Sequence, residues 1–263
     1  MQPTPPERRL SGVRCYALML AALATLLSIP TRAELQTNTT DTVGNTGQDT
    51  ALSSYVARYK TSARGFTLYL ERELRTRGDN RYVLTNGGKI LVVGFHEVSV
   101  FTVSEGQVYP QSYIYQGTGL VNRKREVHFD SGKVVRSLYK DTWYELPNSP
   151  GTLDRMSQWE QVRLALLGSQ QPLEEISLRV ADGKRVKNSS LVLVGEEDLV
   201  TVLGTVKTLH FKRLHDNAER QSDIWFAPQW DYLMVKTIHV EDGEPVEVNL
   251  VSAAIDGTPV TAR

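Results

Sequence analysis

From Tyr55 onward, apolar and polar residues alternate along the chain. Phe66, Leu68 and Leu70 are separated by Thr67 and Tyr69, and Ile176, Leu178 and Val180 by Ser177 and Arg179. Val246, Val248 and Leu250 repeat the pattern around Glu247 and Asn249. A period of two with one polar face predicts half-buried β-strands. Glycine-containing turns separate the runs: Gly78-Asp79-Asn80, Asn86-Gly87-Gly88, Asp130-Ser131-Gly132-Lys133, Asp182-Gly183 and Asp242-Gly243. Turns at this density predict successive hairpins and not βαβ units. The expected fold is therefore mainly β, a strongly curved antiparallel sheet or open barrel.

One segment follows a different period. Between Leu153 and about Gly168, a step of about 100° per residue gathers Met156, Trp159, Val162, Leu166 and Leu167 on one arc. Asn148-Ser149-Pro150-Gly151-Thr152 stops the preceding strand, and Asp154 supplies a carboxylate for the helix N-terminus. Arg163 falls in the middle of the apolar arc. A guanidinium there must snorkel outward, pair with a carboxylate beneath the helix, or reach into a cavity and meet an anionic head group. Met156, Trp159 and Arg163 are accordingly the candidate ligand-binding residues.

Residues 1–53 follow another pattern. Arg8, Arg9 and Arg14 precede an apolar run from Cys15 to Ile29, Pro30 ends it, and Thr31-Arg32-Ala33 offers small residues for cleavage. The run is shorter than the roughly 20 residues of a bilayer span, so residues 1–33 read as an export signal cut near Ala33. Retention as an N-terminal anchor is the other outcome. Residues 34–53 are polar and read as a flexible linker. Residues 54–255 read as a single β domain and residues 256–263 as a C-terminal tail. After cleavage the exported chain would carry no integral membrane domain.

The whole chain carries 30 basic and 30 acidic residues. Cleavage at Ala33 removes four arginines and one glutamate, leaving 26 basic and 29 acidic residues. That balance argues against a nucleic-acid partner. The single cysteine, Cys15, lies inside the signal, so the remaining chain has no thiol for a nucleophile, zinc site or redox pair.

Other chemistry is equally thin. The histidines are His96, His128, His210, His215 and His239, with no i,i+4 pair and no HExxH. His210 and His239 each adjoin an apolar strand position and are expected on solvent faces. No G-x-S-x-G elbow or phosphate loop occurs. The acidic groups Glu196-Glu197-Asp198 and Glu241-Asp242 are expected at solvated turns. Trp143, Trp159, Trp225 and Trp230 are expected in the core. No catalytic residue, metal ligand or cofactor emerges, and the chain is expected not to be an enzyme.

Certain short motifs carry a family resemblance. Asp154-Arg155-Met156-Ser157 with Gln161-Val162-Arg163, then Ile224-Trp225-Phe226-Ala227-Pro228 and Tyr232-Leu233-Met234-Val235, resemble the exported bacterial family called domain of unknown function 3108. Val127-His128-Phe129-Asp130 and Asp242-Gly243 fit its layout, and the likeness runs from about Tyr55 to Ser252. Met234 stands where that family is expected to carry proline. The resemblance implies an envelope protein of Gram-negative bacteria, exported to the periplasm and built on a strongly curved antiparallel sheet, similar in plan to periplasmic lipoprotein carriers and lipocalin-like barrels. It implies no catalytic residues. Two functions remain open: a carrier of a lipid or other amphipathic ligand, or a structural partner of another envelope protein with a side-chain-filled barrel. An open apolar pocket of about 300 Å³ or more would favour the carrier.

Overall fold

The computed structural model describes residues 51–63, 66–119, 122–130, 132–214, 221–241 and 244–262. The export signal, most of the linker, His215 and the Asp242-Gly243 turn lie outside the described residues.

The strands form one sheet built as two meanders that share a centre. The first runs outward through β1 (Tyr55–Ala63), β2 (Phe66–Thr76), β3 (Arg81–Ile90), β4 (Val93–Ser104), β5 (Gln107–Thr118), β6 (Arg123–His128), β7 (Val134–Tyr139) and β8 (Thr142–Pro147). After the two-residue β9 (Thr152–Leu153) and the helix α1 (Ser157–Gly168), the chain returns. The return path is β10 (Glu175–Asp182), β11 (Arg185–Thr201), β12 (Gly204–Arg213), β13 (Gln221–Ala227), β14 (Leu233–Glu241) and β15 (Glu244–Ile255). β15 pairs with β1, so the sheet order runs from β8 through β1 and β15 to β9. Every pairing is antiparallel except that of β9 with β10, where Thr152 and Leu153 face Arg179 and Val180. The sheet curls until Cα atoms of β7 and β10, and of β8 and β11, lie within 8 Å.

The alternation explains the inner face. On β2, Leu68, Leu70 and Leu74 point inward, as do Ile176, Leu178 and Val180 on β10. α1 packs against β5, β10 and β4 and is enclosed on nearly all sides, with only Gln161, Ala165, Leu167 and Gly168 reaching partial or full exposure. The helix was expected to begin at Leu153. It begins at Ser157 because Leu153 is held in the short ladder with Val180. Asp154, fully buried, accepts the N–H groups of Met156 at 2.8 Å and Ser157 at 2.9 Å on Oδ1. Its other oxygen takes the Ser99 hydroxyl at 2.7 Å.

Several local expectations are corrected. Asn86-Gly87-Gly88 is not a turn but lies inside β3. A Cβ on Gly88 would sit 2.7 Å from Leu70 Cδ2 and 2.9 Å from the Tyr69 carbonyl, so glycine there admits the neighbouring strand. The real turn falls at Leu91-Val92. Glu196-Glu197-Asp198 is exposed but lies within the long β11, not at a turn. Trp143 is 48% exposed, whereas Trp159, Trp225 and Trp230 are buried. His239 is buried, not solvent-facing: a bulge at Trp225/Phe226 shifts the phase of β14, so that His239 pairs with inward Ser222. His210 is half-buried and stacks on Trp225 at 4.3 Å between ring centres.

Both ends of the described residues are tied to the sheet. Leu52 is buried and the Ser53 hydroxyl donates to Asp231 at 2.6 Å, although both fall in the stretch expected as linker. In the expected tail, Thr258 and Pro259 form β16 and pair with Ile255 and Ala254.

Candidate functional site

The barrel interior combines an apolar wall with buried charge. Arg72 stands on β2 in phase with Leu68, Leu70 and Leu74, where the alternation calls for an apolar residue. Its Nε donates to the Tyr55 hydroxyl at 2.8 Å and its Nη2 to Glu160 Oε1 at 3.1 Å. Glu160 also accepts the Tyr55 hydroxyl at 2.8 Å and Arg163 Nη1 at 2.7 Å. Burial alone would raise the Glu160 pKa. Arg163 and Arg72 outweigh it and hold the carboxyl below the ordinary glutamate range.

This geometry places Arg163. Its guanidinium is bound to the Glu160 carboxylate, donates from Nε to the Asp231 carbonyl at 3.1 Å, and lies 4.8 Å over the Tyr55 ring. Arg163 therefore forms the ion pair beneath the helix, away from the cavity.

One cavity sits beside the start of α1 and measures about 110 Å³, while more open clefts of about 790 and 530 Å³ lie on the wall beside Leu214 and Val200. Met156 and Trp159 line the cavity, together with Leu70, Met234 and Val248. So do two guanidiniums, Arg72 and Arg155, and the carboxylate Glu97. Both Glu97 oxygens are engaged, Oε1 by the Tyr113 hydroxyl at 2.7 Å and Oε2 by Asn86 Nδ2 at 2.8 Å. Lys236 also borders the cavity, but its ammonium pairs with Glu247 at 3.0 Å.

Arg72 and Arg155 keep donors in hand. Arg155 Nη1 reaches Asp182 at 3.3 and 3.4 Å. Neither Arg155 Nε and Nη2 nor Arg72 Nη1 has a hydrogen-bond partner among the described residues. These side chains are 7% and 9% exposed for Arg155 and Arg72. An enclosed guanidinium with open N–H groups suits a carboxylate or phosphate oxygen.

A second carboxylate organises the neighbouring wall. Asp182 at the end of β10 lies 3.3 Å from Arg155, 3.0 Å from Lys187 and 3.6 Å from Arg125 on β6. Burial works to raise its pKa, but the three cations hold it below the ordinary range. Arg213 is buried as well, donating to Gln158 at 2.6 Å and lying 5.1 Å from the Trp159 ring. Burial and the nearby Arg155 push its pKa down to about 10.

Met156 and Trp159, expected at a ligand site, line the cavity, as do Arg72, Arg155 and Glu97, which were not expected there. The usable signal was a charge standing in phase with apolar neighbours, as Arg72 does among leucines and Glu97 does between Phe95 and Phe101. Among the described residues no group of three His, Cys, Asp or Glu could hold a metal ion.

The family described as protein of unknown function DUF3108 matches residues 54–250. The chain belongs to that family. Among curated proteins nothing matches. The fold is shared with a crystal structure of a beta-barrel-like protein of domain of unknown function DUF1849 from Brucella abortus, with a TM-score of 0.53 and 11% identity. That match covers 78% of this chain and 98% of the other. This DUF3108 protein is thus a mainly β, barrel-like molecule. No helix among its described residues is long and apolar enough to cross a membrane.

Proposed function

We propose that this DUF3108 protein is an exported, non-catalytic binding protein of the Gram-negative periplasm, taking a small anion with a short apolar body into its barrel. One observation carries the reading: Arg72 and Arg155 present unoccupied N–H donors to a cavity whose apolar wall is Leu70, Met156, Trp159, Met234 and Val248, while the Glu97 and Lys236 charges beside it are already paired or hydrogen-bonded. The N-terminal signal and the resemblance to exported proteins support the compartment. At about 110 Å³ the cavity is below the ~300 Å³ of drug-sized sites. A space of about 150 Å³ holds a benzene ring, so a short carboxylate or the head of a longer amphipath is the fitting class. An entire acyl chain requires the wall to move.

The test starts with protein recovered from the periplasmic fraction without detergent, examined by native mass spectrometry for a bound anion. Propionate and 1-propanol are then compared by calorimetry. The expected outcome is propionate binding, no propanol binding, and at least about tenfold weaker propionate binding in Arg155→Met, since one charge-assisted bond is worth about 1.5–3 kcal/mol. Arg155 is the chosen position because Asp182 keeps Lys187 and Arg125 when it is removed. Absence of any bound anion together with equal behaviour of the two ligands would sink the reading.

The small cavity and the enclosed helix favour a second function, a structural partner of another envelope protein. It predicts no ligand at all, and a cell-envelope defect on deletion that Arg155→Met rescues fully.

A further inference from the structure

One edge of the sheet is left unfinished. β9 runs parallel to β10 for only two residues, with Thr152 opposite Arg179 and Leu153 opposite Val180. Carried on in that register, residues 148–151 would lie along 175–178. The chain turns away instead: the Thr152 N–H returns to the Ser149 carbonyl at 3.0 Å, and Gly151 takes a left-handed φ of 75°. On its other side β10 is paired with β11 along its whole length. In an antiparallel pair, alternate residues turn N–H and C=O away from the partner. Two of the four residues 175–178 therefore point both groups outward, and among the described residues no hydrogen bond meets them there.

The open stretch borders the cleft of about 790 Å³. Gln161 and Ala165 of α1 line this cleft, Pro150 and Gly151 line it where β9 stops, and Gln107 of β5 stands beside them. The start of β5 also turns main-chain groups toward α1, and Gln161 satisfies them. Its Oε1 accepts the Val108 N–H at 2.8 Å and its Nε2 donates to the Gly106 carbonyl at 3.2 Å. Among the described residues no side chain does the same for β10. Folded proteins ordinarily guard such an edge with lysine, proline, a bulge or a covering loop. Residues 175–178 read Glu-Ile-Ser-Leu and pair with β11 without a register shift, so the only charge in the stretch stands at its end. The lining is also divided. Ala165, Leu173 and Ile176 offer an apolar side, and Ser177, Asn188 and Ser190 a polar one.

We infer that this edge takes up an extended peptide segment of another protein, as an added strand in line with β9. Main-chain donors and acceptors at strand spacing are met by another extended main chain, and four residues span about 13 Å. An alternating sequence suits the two sides of the cleft, apolar residues toward Ala165 and Ile176 and polar ones toward Ser177 and Ser190. A second copy fits poorly, since its own β10 edge sits in the same recess beside α1 and the Pro150 turn. The inference does not depend on the anion cavity, which α1 borders through Met156 and Trp159 and not through Gln161 and Ala165.

The test uses the full chain and a capped peptide of three alternating valine–threonine pairs with a lysine at each end. Hydrogen exchange resolved by residue comes first. Without peptide, alternate amides of 175–178 should exchange fast while those bonded to β11 stay protected. Protection of all four would mean that the edge is already covered, and overturns the inference. With peptide, the fast amides should become protected and 55–61 should not change. Two further peptides carry N-methyl groups on the valines or on the threonines. One should bind at least about tenfold more weakly and the other nearly as well, because only alternate N–H groups face β10. Ser177→Lys with Ala165→Lys, which guards the edge and fills the recess, should weaken binding to a similar degree. Melting curves check the fold, and Ser177→Lys alone serves if the pair melts lower. No binding, equal binding by both methylated peptides, or indifference to the lysine variants overturns the inference. A dimer seen by light scattering without peptide, and lost in the lysine variants, also overturns it, in favour of edge pairing between copies.

Discussion

Glu160 faces two guanidiniums and a phenol inside the barrel, and its substitution separates charge from shape. Glu160→Gln keeps the volume but leaves Arg72 and Arg163 enclosed without their carboxylate. Removing one member of such a buried pair costs about 3–5 kcal/mol. The pH dependence has a definite sign. The folded pKa of Glu160 lies below its unfolded value, so its contribution is present above about pH 4.3 and is lost as pH falls through the folded value. Urea melts should therefore show a large gap between the proteins at pH 7 that narrows toward pH 2. A gap independent of pH would mean that packing, not charge, carries the cost. Single residues of this kind were only partly legible in the sequence. Arg163 was visible because it interrupted a helical stripe, and a carboxylate partner followed from elementary electrostatics. Its partner was not, since Glu160 sits one helical turn earlier on what looked like a polar face. Arg72 comes to the same carboxylate from β2, 88 positions away, and that meeting is made by sheet curvature alone.

At the level of elements, alternation located the strands because each has one face against the interior. It failed where glycine serves the sheet and not a turn. Gly87 and Gly88 look like a hairpin, but in β3 they give room to Leu70 and to the Phe95 carbonyl. The helix was readable in place but not in surroundings: a stripe of five apolar residues suggested one buried face, whereas Gln158, Glu160 and Arg163 are buried too. Buried polar side chains on a core helix are invisible to a period analysis, which counts them as solvent-facing. The start of α1 depends on Asp154, whose carboxylate binds two helix N–H groups and the Ser99 hydroxyl. Burial raises its pKa against the lowering effect of those bonds. Asp154→Ala leaves these donors without a partner in the core. It should cost about 2 kcal/mol, the upper part of the range for N-cap removal, and Ser99→Ala less. Chemical denaturation checks the order. Equal losses at the two positions would mean that the Ser99 bond, not the cap, fixes the helix.

At the scale of the whole molecule, the barrel is one ladder with two ends, and no described backbone ladder joins β7 or β8 to β10 or β11. Side chains make that closure instead. Asp182 on the return meander draws Arg125 from the outgoing one, and Lys184 lies 5.6 Å from the Tyr144 ring of β8. At the opposite side, β1 and β15 are joined by seven residue pairs from Tyr55 to Thr61. A seam held by one carboxylate must be weaker than a continuous ladder, so opening should begin there. Asp182 has a depressed folded pKa; its contribution is present above the unfolded aspartate value of about 3.9 and disappears as pH falls through the folded one. Asp182→Asn should reproduce at neutral pH what acid does to the native chain, at a cost of about 3 kcal/mol, because Arg125, Arg155 and Lys187 then face one another without an anion. Hydrogen exchange provides the readout. Residues 134–147 and 175–182 should lose protection in Asp182→Asn while 55–61 and 248–255 keep theirs. Uniform loss across all four segments would show that the seam is no weaker than the ladder. Arg155 ties the seam to the cavity, since one side of its guanidinium binds Asp182 and the other borders the proposed anion site. An anion held there positions Arg155 against Asp182, so a bound carboxylate at neutral pH should raise protection of 175–182 before it changes any other segment.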